Sequence, residues 1–254
     1  MIRRELEYFF AALRFFTRLP VPAWVGHSEE QLNHAARYFP LVGWVIGAIG
    51  AGVTWLAAWV LPLSISVLLG MAATLLATGA FHEDGFADSC DGFGGGFERE
   101  RVLAIMKDSR IGSYGAIGIA VLLLIKWNTL YEINDWVAPA LLAGHALSRA
   151  AAVTLIFGLD YARANDPNES AKSKPLAVRM GKGELALAWG FGLLPLLLLP
   201  WQAALQGLVA AVLVSCLMAR YTQRRIGGYT GDVLGATQQL AEVFFYLGLL
   251  CVFI

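Results

Sequence analysis

Apolar residues in this chain run in blocks, and several blocks are long enough to cross a bilayer, whose hydrocarbon core of about 30 Å takes roughly 20 helical residues. Phe39 to Leu61 and Pro62 to Ala80 form one pair, parted only at the Leu61-Pro62 step. Tyr114 to about Tyr131 is a third block, interrupted by Lys126, and Trp136 to Gly158 is a fourth, carrying His145 and Arg149. Glu184 to Pro200 and Ala203 to Ala219 make a second close pair, and Val233 to Ile254 closes the chain. The pattern predicts an all-α polytopic membrane helix bundle with about seven transmembrane helices. No polar stretch is long enough for a separate soluble domain, so residues 1–254 are expected to form a single integral membrane domain. Gly43-x-x-x-Gly47 in the first block has the spacing of close helix packing.

At the N-terminus Leu6, Phe9, Phe10, Leu13 and Phe16 recur at helical spacing beside Arg14 and Arg18, the pattern of an amphipathic helix lying on the membrane surface or against the bundle. Glu5, Glu7 and Arg14 interrupt the stretch and no small-residue cleavage site follows, which argues against a signal peptide. Basic residues avoid short translocated loops. Of the 19 Lys and Arg, all but Lys126 and Arg149 fall before the first block or between the second and third, fourth and fifth, or sixth and seventh. The connections at Leu61-Pro62, Glu132 to Asp135 and Trp201-Gln202 hold none. The N-terminus is therefore expected in the cytoplasm and the C-terminus outside.

Composition agrees with the block pattern. The chain is 57% hydrophobic and 15% charged, with a mean hydropathy of +0.60, against roughly 45–50% and about 25% for soluble domains. Disorder, nucleic-acid binding and a disulfide scaffold are poor readings of such a composition. Nineteen basic residues balance nineteen acidic ones, so only their placement is informative. Cys90, Cys216 and Cys251 are scattered and odd in number, which indicates neither a zinc site nor a disulfide framework.

The chemistry concentrates directly after the second block, in Phe81-His82-Glu83-Asp84-Gly85-Phe86-Ala87-Asp88-Ser89-Cys90-Asp91-Gly92. If the segment is helical, Asp84, Asp88 and Asp91 fall within an arc of about 60°. Like charges on one face destabilise a helix unless a cation compensates, and oxygen-only ligands suit Mg²⁺ or Mn²⁺ rather than zinc. Gly85 and Gly92, on the neighbouring strip, would leave room for a phosphorylated ligand. Mg²⁺ commonly binds through one or two carboxylates plus substrate phosphates, so diphosphate chemistry is the natural expectation. His82 lies about 160° from Asp84 on an ideal helix, so it joins the cluster only if the helix begins at Glu83 or later. Glu83 itself is about 100° off the shared face.

Two further stretches look chemical. Lys107-Asp108-Ser109-Arg110-Ile111-Gly112-Ser113-Tyr114-Gly115 precedes the third block, and Gly227-Gly228-Tyr229-Thr230-Gly231-Asp232-Val233-Leu234-Gly235-Ala236 precedes the seventh. Both fall on the expected cytoplasmic face with the Asp84 cluster. Lys172, Lys174, Arg179 and Lys182 serve either topology or a nucleotide phosphate; Gly181-Lys182 is no P-loop, because Leu176 stands where the upstream glycine is required. Arg149 and His145, one turn apart inside the fourth block, are ionisable groups where burial is costly, and Arg149 is expected to bind phosphate or pair with an acid.

With those residues in view, the chain resembles the adenosylcobinamide-GDP ribazoletransferase family of integral membrane enzymes. Thr17-Arg18-Leu19-Pro20-Val21-Pro22 and Phe39-Pro40 with Gly43 and Gly47 resemble the family's opening. His82-x-Asp84-Gly85-x-x-Asp88-x-x-Asp91-Gly92 resembles its central motif, Asp108-Ser109-Arg110-x-Gly112-x-x-Gly115 its second, and Gly228-x-Thr230-Gly231-Asp232-x-Leu234-Gly235-Ala236 its third. Glu83 departs from the pattern, which often has an apolar residue there.

The resemblance implies a multi-pass enzyme of the bacterial inner membrane, its active site toward the cytoplasm. It would transfer the phosphocobinamide part of adenosylcobinamide-GDP to α-ribazole or α-ribazole 5′-phosphate, giving adenosylcobalamin or its 5′-phosphate and GMP. Mg²⁺ held by Asp84, Asp88 and Asp91 would bridge the diphosphate. Asp232, Asp108 or His82 would take the hydroxyl proton, and Arg110 and Arg149 would bind phosphate oxygens. Gly85, Gly92, Lys107 and Thr230 complete the expected substrate-binding set. The partners implied are these two substrates and the lipid bilayer, with no nucleic acid.

Asp88-x-x-Asp91-Gly92 also echoes the opening of the CDP-alcohol phosphotransferases, but the Ala-Arg after Gly92 and the later Gly-x-x-x-Asp-x-x-x-Asp are absent. A cation-coupled transporter would place its acids near the bilayer midplane within an inverted repeat. Here the acids gather at one interface and no repeat is evident.

Overall fold

The computed structural model describes residues 2–26, 29–164 and 180–253, in which all regular structure is helical apart from one isolated pairing of Tyr161 with Tyr229. In chain order the helices are α1 (Ile2–Phe16), α2 (Glu29–Ala35), α3 (Phe39–Ala57), α4 (Leu63–Thr78), α5 (Phe81–Gly95), α6 (Arg99–Met106), α7 (Ser113–Ile133), α8 (Val137–Gly158), α9 (Lys182–Leu193), α10 (Trp201–Ile226) and α11 (Gly231–Phe253).

Lipid and protein faces separate along single helices. On α10, Leu205, Val209, Leu213 and Leu217 recur every fourth residue and are 49–62% exposed, whereas Ala203, Ala204, Gly207, Ala211 and Val214 are buried. Every fourth residue lies on one helical face, so that apolar stripe points outward from the bundle, as a lipid-facing side would. The inner face uses small residues instead, because between helices in lipid the gain comes from close packing. Gly43 and Gly47 serve this end on α3. A Cβ at Gly47 would stand 2.7 Å from Leu142 Cα and 2.8 Å from the Leu141 carbonyl, and one at Gly43 would stand 2.8 Å from Ala146 Cα. The spaced glycines therefore bring α3 against the backbone of α8.

Among the described residues four helices are long and apolar enough to cross a membrane, or five if α4 and α5, bent by 88°, count as one broken span. The expected seven are not reproduced by this measure, for three local reasons. Helix α4 ends after 16 residues, where Gly79 (φ 67°) and Ala80 (φ 57°) both turn left-handed and swing the chain into α5. Helix α9 has only 12 residues before Pro195 enters the 3₁₀ turn Leu194–Leu198. The stretch Ser113–Gly158 counts once because it is helical almost throughout, yet it folds back on itself. Asn134 breaks it with φ 52°, and Lys126 and His145 both touch Glu242 of α11, whereas a straight helix would set them about 28 Å apart.

The fold-back sorts the connections to two ends of the bundle. At one end Pro62, Leu63 and Ser64 share a cavity with Tyr131, Glu132 and Asn134, and Trp136 stacks on Phe253 at 5.9 Å. Trp55, Trp59 and Trp201, all exposed, belong to the same region, the placement of an interfacial aromatic belt. At the other end lie the loops before α7, after α8 and before α11. The amphipathic helix α1 rests against the bundle there. Phe16 meets Phe39 edge to face at 4.4 Å, Glu5 accepts from Arg37 at 2.7 Å and from the Tyr38 hydroxyl at 2.6 Å, and the Arg18 N–H donates to the Ala77 carbonyl at 2.8 Å beside the α4–α5 bend.

Candidate active site

Helix α5 carries the acidic motif and begins at Phe81. His82 is therefore already helical and points away from the acids, as its angular offset requires. It is buried, its ring stacked on Phe16 at 5.2 Å and 15°. Glu83 also turns inward, where its Oε1 accepts from Gln239 Nε2 at 2.8 Å. On the opposite side Asp84 is exposed and Asp88 half-buried.

Asp91, expected beside them as a third metal ligand, has another partner. Its two carboxylate oxygens accept the backbone N–H groups of Gly112 at 2.6 Å and Gly115 at 2.8 Å, capping the start of α7. A Cβ on either glycine would collide with that carboxylate, so the contact requires both glycines of the second motif. The free N–H groups of a helix start and the positive end of its dipole both favour a carboxylate there.

Gly85 and Gly92, expected to leave room for a ligand, are occupied by protein. A Cβ on Gly85 would stand 3.0 Å from the Asp232 carbonyl, and one on Gly92 would stand 2.5 Å from Met106 Cγ on α6. A Cβ on Gly235 of α11 would in turn stand 3.1 Å from the His82 carbonyl. Two glycines facing each other let α5 and the first turn of α11 pack backbone to backbone, and this contact carries Asp232 to the Asp84 and Asp88 face. The carboxylates of Asp232, Asp84 and Asp91 all repel that of Asp88, and Arg163 opposes them.

Asp232 is held from both sides. The Thr230 hydroxyl donates to its Oδ2 at 3.2 Å and accepts the Val233 N–H at 3.2 Å, an N-cap for α11. Arg163 Nη2 lies 3.4 Å from the same Oδ2. Arg163 comes from the loop after α8, which is fastened to the loop before α11 by the Ala162 N–H to Tyr229 carbonyl bond (2.9 Å) and the Tyr229 N–H to Asp160 carbonyl bond (3.0 Å). Arg99 on α6 reinforces the joint, donating to the Ile226 carbonyl at 2.9 Å and the Ala162 carbonyl at 2.5 Å.

Asp108 and Arg110 lie on the exposed loop before α7, paired with each other at 2.7 Å. The Arg110 guanidinium beside it holds the Asp108 carboxyl down at about 2, which makes it a weak proton acceptor. Lys107 is exposed at the end of α6. Lys182 opens α9, and Lys172, Lys174 and Arg179 lie outside the described residues.

Arg149 is buried well inside the bundle, 2% exposed, with its Nη1 on the His145 carbonyl at 2.8 Å. It belongs to a polar network that sequence reasoning saw only in parts. Glu242 of α11 accepts from Lys126 Nζ at 2.5 Å, from Gln238 Nε2 at 2.7 Å and from the Tyr246 hydroxyl at 3.0 Å, with His145 Nδ1 at 3.2 Å. Gln239 joins Gln238 to Glu83. The signal for Glu242 was available, since it is an acid in the middle of the last apolar block. Arg163 was absorbed into the count of topological basic residues.

Among the described residues no three His, Cys, Asp or Glu side chains converge closely enough to form a ready metal cage. The donor set still fits Mg²⁺ in its usual manner. Asp84 and Asp88 offer oxygen ligands from one helix, their charges repel, and the rest of the coordination shell belongs to water and substrate phosphates.

Several membrane-length helices, with carboxylates of the short helix α5 and of the long helix α11 brought together at one end, define the class, a helical membrane bundle with an acidic end site. Residues 8–250 match the CobS family, cobalamin-5-phosphate synthase, and the chain belongs to that family. It is 49% identical to the adenosylcobinamide-GDP ribazoletransferase of Shewanella frigidimarina, across 98% of this chain and 96% of the relative. It is 47% identical to the enzyme of that name from Leptothrix cholodnii (96% and 95% covered) and 46% to that from Ralstonia pickettii (98% and 97%). No solved structure matches the chain.

Proposed function

We propose that the Asp84, Asp88 and Asp232 site performs the last assembly step of the cobalamin nucleotide loop. The chain is an adenosylcobinamide-GDP ribazoletransferase, in keeping with relatives of that name along nearly its whole length. The 3′-hydroxyl of α-ribazole, or of its 5′-phosphate, forms a bond to the cobinamide-side phosphorus, the bond to the GMP oxygen breaks, and GMP leaves. The observation that carries the site assignment is the meeting of the central and third motifs, which brings Asp232 of α11 to the acidic face of α5.

Asp84 and Asp88 are the residues that would hold Mg²⁺. When bound, the ion neutralises the diphosphate and the charge growing on the leaving oxygen. Asp232 accepts the hydroxyl proton, fixed in orientation by Thr230 and Arg163. His82 faces Phe16 and Asp108 is tied to Arg110, which leaves Asp232 as the base. Asp91 sets the position of α7 and thereby of the loop carrying Lys107, Asp108 and Arg110.

The same reading places the site on the cytoplasmic face of a bacterial inner membrane, with 1–254 as one domain. Seven end-to-end passes, with α4, α9 and the hairpin halves α7 and α8 each crossing, fit the two sets of connections and the skewed basic residues. The test uses purified protein in liposomes with adenosylcobinamide-GDP and α-ribazole, following GMP and corrinoid product with and without Mg²⁺. Stoichiometric, metal-dependent GMP and cobalamin are expected. No product from folded protein with both substrates present overturns the reading.

A further inference from the structure

Beside Asp232, on the far side of Arg163, lies a cavity of about 620 Å³, within the range of roughly 300–1,000 Å³ usual for small-molecule sites. Its walls include Arg99, Glu100, Leu103, Lys107, Tyr161 and Arg163. Three of these are cations, and the walls come from α6 and from the loop after α8 that the Tyr161 to Tyr229 pairing fastens down. The cavity is thus built by the same joint that positions Asp232.

Two features give its chemistry. Arg163 has a side chain only 10% exposed, and it directs Nη2 toward Asp232 while its buried Nε has no hydrogen-bond partner. A buried guanidinium N–H left without a partner is costly; the Nε itself is closed off from the cavity, so an anionic oxygen there would meet the guanidinium through the part of Arg163 that lines the wall and offset its charge. The second feature is Glu100, the one carboxylate among the lining residues, 79% exposed and 3.6 Å from Arg99. A carboxylate accepts the N1–H and the exocyclic amine of guanine together, whereas a benzimidazole base bound through its sugar offers no such pair of donors. The Tyr161 ring supplies an aromatic surface in the same wall.

We infer that this cavity is the guanine-nucleotide subsite, with the phosphate against Arg163 and the base read by Glu100. This rests on the ribazoletransferase reading above and adds two residues to it. Arg163 then spans the reaction: one N–H steadies the base Asp232, and another meets the phosphate that departs as GMP.

The experiment measures steady-state kinetics of the full-length protein in liposomes, with GMP and inosine monophosphate as product-type inhibitors. In the unaltered enzyme GMP should inhibit more strongly than inosine monophosphate, which lacks the exocyclic amine. Glu100→Gln should remove that discrimination and raise the KM for adenosylcobinamide-GDP about tenfold or more, while the KM for α-ribazole does not move. Arg163→Gln should weaken GMP inhibition, and Arg163→Lys should restore part of it. Glu100 is at the surface, so its variant tests the inference without a folding defect. If GMP inhibition is unchanged in both Gln variants of an enzyme that turns over, the inference is overturned and the ribazoletransferase reading stands. If only α-ribazole 5′-phosphate binding weakens, the cavity belongs to the other substrate and the inference is equally overturned. If the unaltered protein releases no GMP at all, it is the underlying reading that fails.

Discussion

Asp88→Asn and Asp91→Asn are one helical turn apart in the same motif, and the structure expects opposite consequences. Asp91 accepts two backbone N–H groups at 2.6 and 2.8 Å and is buried. In Asp91→Asn the carboxamide accepts one of them and turns an N–H₂ toward the other, so a charge-assisted bond is lost and a buried donor is left facing a donor. A hydrogen bond to a charged group is worth about 1.5–3 kcal/mol, and an orphaned buried donor costs about 1–3 kcal/mol. A net destabilisation of about 2 kcal/mol is a fair central value. For a chain of this length that is a fall in Tm of about 4–8 °C. Asp88 accepts no such bond and is repelled by Asp84, Asp91 and Asp232, so Asp88→Asn should keep or raise the Tm in metal-free buffer. Turnover should reverse the order: per folded molecule, Asp88→Asn falls by more than about a hundredfold, and Asp91→Asn by less than about tenfold. The assay is thermal unfolding in detergent followed by GMP release in liposomes. An Asp91→Asn protein with unchanged Tm and abolished turnover would show that Asp91 is a ligand and refute its assignment as a cap.

Glu242→Gln leaves Lys126 buried without its counter-ion, and removal of one partner from a buried pair costs about 3–5 kcal/mol; the double variant Glu242→Gln with Lys126→Met should recover more than half of that loss in the same unfolding assay, and equal loss in both would refute the pairing. Gly47→Val places side-chain atoms into the α8 backbone, since even a Cβ would stand 2.7 Å from Leu142 Cα, whereas Gly52 on the same helix has nothing within 4 Å. Gly47→Val should therefore abolish folded protein as judged by size-exclusion in detergent, and Gly52→Val should elute as the unaltered protein does.

The helical membrane character was legible because lipid demands long apolar runs, and those runs are visible without knowledge of the fold. The span count was less legible. Block length shows neither that α4 ends after sixteen residues at the left-handed Gly79-Ala80 turn nor that Pro195 cuts the fifth block after twelve residues of α-helix. The acids were legible by spacing alone, since Asp84 and Asp88 do share a face. Asp91 shares it too, but its role is set by Gly112 and Gly115, more than twenty residues on, and spacing within one helix carries no information about what another loop brings to it. The glycines were ambiguous for the same reason. A glycine beside an acid reads equally as space for a ligand or as space for a neighbouring helix, and Gly85 proves to be the latter because Gly235 faces it.

The buried network shows why a polar site in a membrane protein is harder to assemble from sequence than an apolar core. Lys126, His145 and Arg149 were each conspicuous inside an apolar block, yet each alone reads as an isolated cost. Their sense lies in Glu242 and Glu83, contributed by α11 and α5: two cations and two carboxylates within one buried hydrogen-bonded set. Helices that meet through small residues are held by close packing alone where the glycines face the neighbouring backbone, and directional polar contacts add a second constraint. Ion pairs and side-chain amide hydrogen bonds among α5, α7, α8 and α11 are satisfied in one register only. Those four helices carry the acidic motif, the Asp91-capped helix start, the Arg163 loop and Asp232, so fixing their register beneath the site fixes the distances among the groups proposed to do the chemistry. The Glu242→Gln experiment bears on this directly, since slippage in the variant should displace Asp232 from Asp88 and lower turnover per folded molecule as well as Tm.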